Sequence, residues 1–486
     1  MVKFEELNVR FMKRLFLVAG CLLLVVGSFG QTIDQKLQKA FVAFEKDSQL
    51  KHAISSLYVI DASSGQIVFD KNSQIGLAPA STQKIITSVT AFELLGKDYR
   101  YKTEFAYNGE NRNGYFRGNF YLIGYGDPTL GSWRYKSADE ELLFLNILSA
   151  VKSTGFTKTF KEELRSNLIL VNGGFESDTY NDGWIWQDIG NYYGAMHNAI
   201  NWRENQFDII FDPGTKVGDN VEWDGFIPKY IYFDITRSDL LTGPKGSGDN
   251  AYVYLNRLDR FLTVRGTLPS GEKNFSISAS HPNPSDFFSD YLSNYIHKYS
   301  KDTITELISS IQWSNVSLIP KDRKTIYTYY SPSLDSIIYW LNKKSINLYA
   351  EALIKTFAYE KKGFGSTDSG VVIVQNFWKE KGLDKEELGI VDGSGLSPLN
   401  RVTTHSQVEI LKYAKTKDWF PYFKTALPEY NGMGMKSGTI RGVKGFCGYH
   451  KAKNGKEYIF SFLVNNYKGS SSSLVNKMYK VLDILK

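Results

Sequence analysis

Ser81-Thr82-Gln83-Lys84 constrains this chain more than any other feature of its sequence, because it asks for a hydroxyl and an amine one helical turn apart at the head of an apolar helix. The lead-in Ala78-Pro79-Ala80 and the run 82–95, apolar at helical spacing and closed by Gly96, predict that helix. In such a place a desolvated lysine with a lowered pKa can take the proton of a serine that is otherwise a weak nucleophile. N–H groups at the helix end favour the developing negative charge. The pattern S-x-x-K alone decides nothing, since Ser48, Ser149 and Ser270 begin it too. What separates Ser81 is its setting, after a predicted hairpin of residues 56–60 and 66–69.

Two further motifs follow in order. Ser345-Ile346-Asn347, the one S-x-N in the chain, supplies a hydroxyl for a proton relay and an amide for a substrate carbonyl, unless it is an ordinary N-cap for a helix over 348–355. Lys436-Ser437-Gly438-Thr439, the one K-[ST]-G, sets a cation and a hydroxyl on a predicted edge strand where Gly438 lets a ligand approach; the competing reading is a strand turn with a solvated lysine. A serine-lysine pair, then S-x-N, then K-[ST]-G is the signature of penicillin-binding proteins and serine β-lactamases.

Beyond these motifs the chain resembles the D-alanyl-D-alanine carboxypeptidase/endopeptidase family, the class C low-molecular-mass penicillin-binding proteins. The resemblance is carried by Leu122-Ile123-Gly124-Tyr125-Gly126-Asp127-Pro128-Thr129-Leu130, Gly183-Trp184-Ile185-Trp186-Gln187-Asp188 and Asn191-Tyr192-Tyr193-Gly194-Ala195. Asn347-Leu348-Tyr349-Ala350-Glu351 and Asp392-Gly393-Ser394-Gly395-Leu396-Ser397 carry it further. It covers nearly the whole mature length, and a long insertion between the first and second motifs is the family's hallmark.

The resemblance implies an α/β (α+β) fold of the serine β-lactamase/D,D-transpeptidase type, with an antiparallel central sheet flanked by helices and large β-rich inserted domains. It implies a serine D-Ala-D-Ala carboxypeptidase and D,D-endopeptidase acting on peptidoglycan stem peptides, with β-lactams as covalent inhibitors and no metal or cofactor. Ser81 would be acylated and Lys84 would be its base. Ser345 would pass a proton to the leaving D-Ala, Asn347 would hold the substrate amide, and Lys436 would help bind the terminal carboxylate. Ser437, Gly438 and Thr439 would line the substrate, the oxyanion hole coming from the N–H groups of Ser81 and Thr439. Two departures stand out. Ser437 replaces the usual threonine, and Val171-Asn172-Gly173-Gly174-Phe175 lacks the aspartate with which relatives engage the free amine of the stem peptide's diamino acid.

A β-lactamase would need deacylation machinery, and no E-x-x-L-N segment lies between the first two motifs, while Tyr254-Leu255-Asn256 is a single Y-x-N of the kind chance supplies. A non-catalytic wall-binding module would have been signalled by loss of Ser81 or Lys84, and both are present.

At 486 residues the chain exceeds what one hydrophobic core supports. A helix is predicted over 31–46. From about 99 to 321 short aromatic and β-branched runs alternate with Gly, Asn and Asp turns, which reads as inserted, mostly β material. Helical patterning returns over 333–355, 371–381 and 404–413, and a hairpin of 445–451 with 457–465 precedes a closing helix over 473–485. The expected division is therefore a signal peptide, 1–30; a peptidase domain, 31–100 with 322–486; and inserted accessory domains, 101–321. The aromatic share of 15% suits sugar surfaces and large cores alike, and the net charge of +7 comes without the Lys/Arg clustering that nucleic-acid binding needs.

Arg10, Lys13 and Arg14 precede an apolar stretch at 15–26, then Ser28 and Gly30, the three parts of a secretory signal; export to the periplasm is expected, with no transmembrane span in the mature chain. Val18-Ala19-Gly20-Cys21 also spells a lipoprotein-type site, but most of the apolar run follows Cys21 where lipoprotein signals place it before. Cleavage near Gln31 leaves Cys447 as the last cysteine, expected as a small buried hydrophobe on a strand. His450 is the one histidine near any of the motifs in sequence.

Overall fold

The computed structural model describes residues 31–112, 115–156, 158–159, 167–176, 180–229, 231, 233–255, 261–299, 310–315 and 320–486. The signal segment and Cys21 lie outside these residues. Among the described residues no helix is long and apolar enough to cross a membrane.

The catalytic layer is built on one antiparallel sheet. Its strands are β1 (Ile54–Asp61), β2 (Ile67–Lys71), β3 (Met433–Ile440), β4 (Val443–Lys451) and β5 (Glu457–Asn465), with the short strand Glu429–Tyr430 beyond β3; the order is Glu429–Tyr430, β3, β4, β5, β1, β2. Among the described residues, no strand from 102–330 joins it. Period-2 alternation sends Leu57, Val59, Phe460, Phe462 and Val464 to one face and Tyr58, Ile60, Ile459 and Leu463 to the other. On the first face pack α1 (Ile33–Glu45), through Leu37, Phe41 and Phe44, and the closing helix Ser471–Leu482, through Leu474, Met478 and Val481. Covering both faces lets every residue from Tyr458 to Val464 be buried.

On the second face lies α2 (Lys84–Leu95), buried from Lys84 through Phe92, as an apolar-all-round helix must be. Around it pack α3 (Leu334–Lys343), α4 (Asn347–Lys362), Thr367–Glu380 and α5 (Thr404–Lys415). The helix expected over 333–355 is in fact two, because the chain breaks between Lys343 and Asn347 with Ser345 in the left-handed region at φ 58°.

Among the described residues, the intervening stretch forms three further sheets. A six-stranded sheet contains Ser310–Asn315, Asn167–Asn172, Tyr115–Gly124, Lys102–Arg112 and Lys324–Tyr330, with the short strand Lys158–Thr159 paired to Tyr115–Gly124, and two three-stranded sheets follow from Gln206–Asp212 to Phe275–Ser280. Two long helices, Glu140–Ser153 and Pro284–Tyr299, stand in this stretch where sequence patterning suggests strands. The expected edge of the insertion at 321 falls just ahead of Lys324–Tyr330, which is hydrogen-bonded to Lys102–Arg112; the chain leaves that sheet only after Tyr330. Residues of 101–321 and the helices around α2 share one buried cluster, with Trp202, Tyr101 and Phe105 in continuity with Tyr349, Leu353 and Phe357.

Candidate active site

Ser81 sits in a short 3-10 turn, Ala80–Gln83, that runs into α2, so Lys84 is the first residue of the α-helix. The Lys84 side chain is wholly buried. Its Nζ lies 2.8 Å from Ser81 Oγ, 2.6 Å from Asn347 Oδ1 and 2.9 Å from Ser394 O. Burial pushes the Lys84 ammonium well below the usual lysine range, and the nearby cation of Lys436 pushes the same way, against the carboxylates of Glu351 and Asp392.

The second motif comes in from the break between α3 and α4. Ile346, not Ser345, precedes the helix, so the N-cap reading of Ser345 falls: its Oγ instead accepts a hydrogen bond from Lys436 Nζ at 2.9 Å. A left-handed conformation at a non-glycine residue is strain of the kind that clusters at functional sites. Asn347 accepts from Lys84 with Oδ1 and donates with Nδ2 to Tyr193 O at 2.6 Å.

The third motif lies on β3. Glu429–Tyr430 pairs only with Met433 and Gly434, so the segment 436–440 has β4 on one side and the Ser81 turn on the other. Lys436 is buried, donates to Ser345 Oγ and to Ser437 O, each at 2.9 Å, and is pushed down to about 7 by burial. It is no solvated lysine. Gly438 has a different use from the expected one: a Cβ there would meet Pro79 O at 2.6 Å, Thr82 N at 2.8 Å and Ser81 N at 2.9 Å. The close approach it permits is that of the turn carrying Ser81. Ser437 is half-buried opposite Phe446, and Thr439 is exposed with its Oγ1 accepting from Lys444 Nζ at 2.7 Å.

Lys444 escaped sequence reasoning. Burial holds it down at about 8. The tight turn after Ile440 pairs Thr439 with Lys444 across the β3–β4 hairpin, and counting that register back from the turn would have found it. Also missed is the acceptor role of Ser394, whose carbonyl the resemblance brought into view without a function.

Other sequence candidates lie apart. His450 stands toward the far end of β4 beside Lys486 and Gly432, away from Lys84. Among the described residues, no histidine is a hydrogen-bond partner of Ser81 or Lys84. Tyr254 packs on Trp186 in the inserted part, and Asn256 is outside the described residues. Val171 is buried, and Asn172 closes its own turn, accepting from Gly174 N and Phe175 N and donating to Phe175 O, so neither presents a group to an amine. Cys447 is buried on β4.

A family model described as the D-Ala-D-Ala carboxypeptidase 3 (S13) family matches residues 37–429, which span the first two motifs and stop short of the third. The D-alanyl-D-alanine carboxypeptidase of Actinomadura sp. (strain R39) is 26% identical over 466 residues, covering 89% of this chain and 82% of the relative. The D-alanyl-D-alanine carboxypeptidase DacB of Haemophilus influenzae is 24% identical over 428 residues, 83% of each chain. The crystal structure of penicillin binding protein 4 from Haemophilus influenzae superposes with a TM-score of 0.75 at 19% identity, over 91% of this chain and 98% of that one. Structures of that protein include one complexed with a β-lactam, at a TM-score of 0.70 and 18% identity, over 92% of this chain and 98% of that one. At these identities the structural likeness speaks to the fold.

Proposed function

We propose, from the premise that this chain belongs to the D-Ala-D-Ala carboxypeptidase 3 (S13) family and is a serine-type hydrolase of D-Ala-D-Ala, that it works through an acyl-enzyme on Ser81 with Lys84 as base. One observation carries the reading: a wholly buried amine 2.8 Å from the Ser81 hydroxyl, with two fixed acceptors on its other sides. Burial lowers the Lys84 ammonium well below the usual lysine range and so favours the neutral amine, the form a general base must take.

In the forward step the Ser81 hydroxyl gives its proton to Lys84 Nζ while Oγ bonds to the carbonyl carbon of the penultimate D-Ala. The N–H groups of Ser81 and Thr439 receive the oxyanion. The C–N bond then breaks, and the leaving amine takes a proton from Ser345 Oγ, which draws on Lys436 through its 2.9 Å hydrogen bond. Asn347 offers the substrate carbonyl its second Nδ2 hydrogen, the first being held by Tyr193 O. Lys436 and Lys444 supply positive charge for the terminal carboxylate, with Ser437, Gly438 and Thr439 forming the strand along which the peptide lies. Water then attacks the acyl carbon, the bond from that carbon to Ser81 Oγ breaks, Oγ takes back the proton held on Lys84, and the proton shed by the water restores Lys436 through Ser345.

The same chemistry applies to D,D-cross-links and to β-lactams, so we include endopeptidase action on peptidoglycan and long-lived β-lactam adducts in the reading. Cleavage near Gln31, export to the periplasm, and a peptidase part of 31–100 with the chain after about 330 belong to it as well. Mass spectrometry of the mature protein after penicillin treatment tests these together. The expected result is an N-terminus near Gln31 and a stable adduct on Ser81; an adduct on another serine, or rapid turnover of penicillin, overturns the acyl-enzyme assignment.

A further inference from the structure

A neutral amine has two hydrogens and one lone pair. When Asn347 Oδ1 and Ser394 O take the two hydrogens of Lys84 Nζ, the lone pair is left facing Ser81 Oγ–H, which is the direction a base requires. The Ser394 carbonyl thus helps aim the base. Its own peptide unit is gripped from behind, because Gly395 N–H, the other end of that unit, donates to Asp392 Oδ1 at 2.8 Å. The two preceding N–H groups, of Gly393 and Ser394, donate to Glu351 Oε2 and Oε1 at 3.0 and 2.9 Å.

Both carboxylates are buried, and both are otherwise committed to this loop and its neighbours. Asp392 also accepts from Ser397 N, Asn400 Nδ2, Gln83 Nε2 and Trp184 Nε1, at 2.7 to 3.1 Å. Gly395, at φ 80°, lies so close to the nucleophile's turn that a Cβ would fall 2.0 Å from Ala80 O. Glu351 stands one helical turn beyond Asn347, so a single rigid helix, α4, fixes one acceptor of Lys84 directly and the other through the loop. A carboxylate on a peptide N–H also polarises the carbonyl downstream.

We propose, resting on the reading of Ser81 and Lys84 as nucleophile and base, that Glu351 and Asp392 are positioning residues: they clamp the 392–397 loop so that the Ser394 carbonyl aims the lone pair of Lys84 at Ser81. The charged groups that bear on Lys84 are Lys436, Glu351 and Asp392, and those that bear on Glu351 are Asp392 and Lys84. Burial and the neighbouring Asp392 raise Glu351 to about 7, so at and above that pH its carboxylate charge favours the protonated form of Lys84; Glu351→Gln removes that interaction, and the rising limb of the pH–rate profile moves to lower pH.

The test measures D-Ala release from a peptide ending in D-Ala-D-Ala, across pH, for the full-length protein, Glu351→Gln and Glu351→Asp. For Glu351→Gln, kcat is expected to fall by about 10- to 100-fold, as a misplaced catalytic group does, with KM within about threefold and the rising limb displaced to lower pH. Glu351→Asp keeps the charge and loses reach, so kcat falls while the limb stays in place. Wild-type kcat in either variant, or a fall in Glu351→Gln with the limb unmoved, overturns the proposal; should Glu351→Gln not fold, Glu351→Asp decides it alone. If the wild-type protein itself releases no D-Ala, the nucleophile-and-base reading falls and the positioning role goes with it. A wild-type protein that works, beside variants that work equally well, removes the positioning role alone.

Discussion

Lys84→Arg keeps the positive charge and most of the side-chain length, and it separates base chemistry from electrostatics. Arginine is not deprotonated in a protein, so it can donate to Ser81 Oγ and never accept its proton. General-base catalysis contributes about 10²- to 10⁴-fold, and members of a coupled nucleophile-base unit contribute more. The expected loss in acylation is about 1,000-fold or greater, equivalent to about 4 kcal/mol of barrier. Geometry adds to this. Lys84 Nζ already touches acceptors at 2.6 to 2.9 Å on three sides with no exposure to solvent, so a guanidinium must push Asn347, Ser394 or Ser81 aside. Overpacking of that kind costs about 1–3 kcal/mol and should lower the melting temperature without abolishing folding. The assays are stopped-flow acylation by a reporter β-lactam and D-Ala release, run beside circular dichroism and a thermal melt. Release within tenfold of wild type in a folded Lys84→Arg protein would refute Lys84 as the base, and Lys436 would be the next candidate, since His450 lies beside Lys486 and not in the site.

Three other outcomes are expected. Lys436 is held at about 7 by burial but titrates near its ordinary value of about 10.4 when unfolded, so the unfolded chain binds more protons between those pH values; wild type should gain stability relative to Lys436→Met as pH rises from about 7 towards 10, measured by urea unfolding at each pH. Gly438→Ala puts a methyl within 3 Å of three backbone atoms of the Ser81 turn, and acylation should fall by about 100-fold while the sheet remains folded, as judged by circular dichroism. The Cys447 thiol, buried and raised above its usual range, should resist an aromatic disulfide reagent in the native protein and react promptly in denaturant.

What sequence revealed and what it hid follow from range. Residues within a turn of one another speak locally: Ser81 and Lys84 declare themselves, as do α1, the β4–β5 hairpin and the closing helix. The helix Pro284–Tyr299 stayed hidden because Phe287, Phe288, Tyr291 and Tyr295 fill it, residues of weak helix preference, whereas Glu140–Ser153, rich in Glu and Leu with an acidic first turn, carries a local helix signal of its own. Strand Lys324–Tyr330 lies beyond the expected edge of the insertion at 321, because its pairing with Lys102–Arg112 across so long a separation leaves no local mark. Ser345 looked like a cap because S-x-N before an apolar helix is also how a cap is spelled. Only the left-handed backbone and the Lys436 bond distinguish the two. Ser394 acts through a backbone carbonyl, which every residue has and no motif records.

Strand β1 pairs with β5 from Ile54 against Asn465 to Asp61 against Tyr458, so the two ends of the chain must find each other before the central sheet exists. Entropically the span between them is forgiving: closing a loop grows more costly only with the logarithm of its length, about 0.6 kcal/mol per doubling. Variants with longer or shorter inserted parts should therefore tolerate the change at equilibrium. In time the arrangement is demanding. During synthesis Ser81 and Lys84 emerge early, while the strand carrying Lys436 and the one that closes the sheet emerge far later, at Met433–Ile440 and Glu457–Asn465. Long-range pairing of this kind folds slowly, and a chain cut before β3 has no strand to lay against the Ser81 turn. The sheet against which the Ser81 turn packs is thus finished only once residues 433–465 have been made, a built-in delay between making that turn and completing its surroundings.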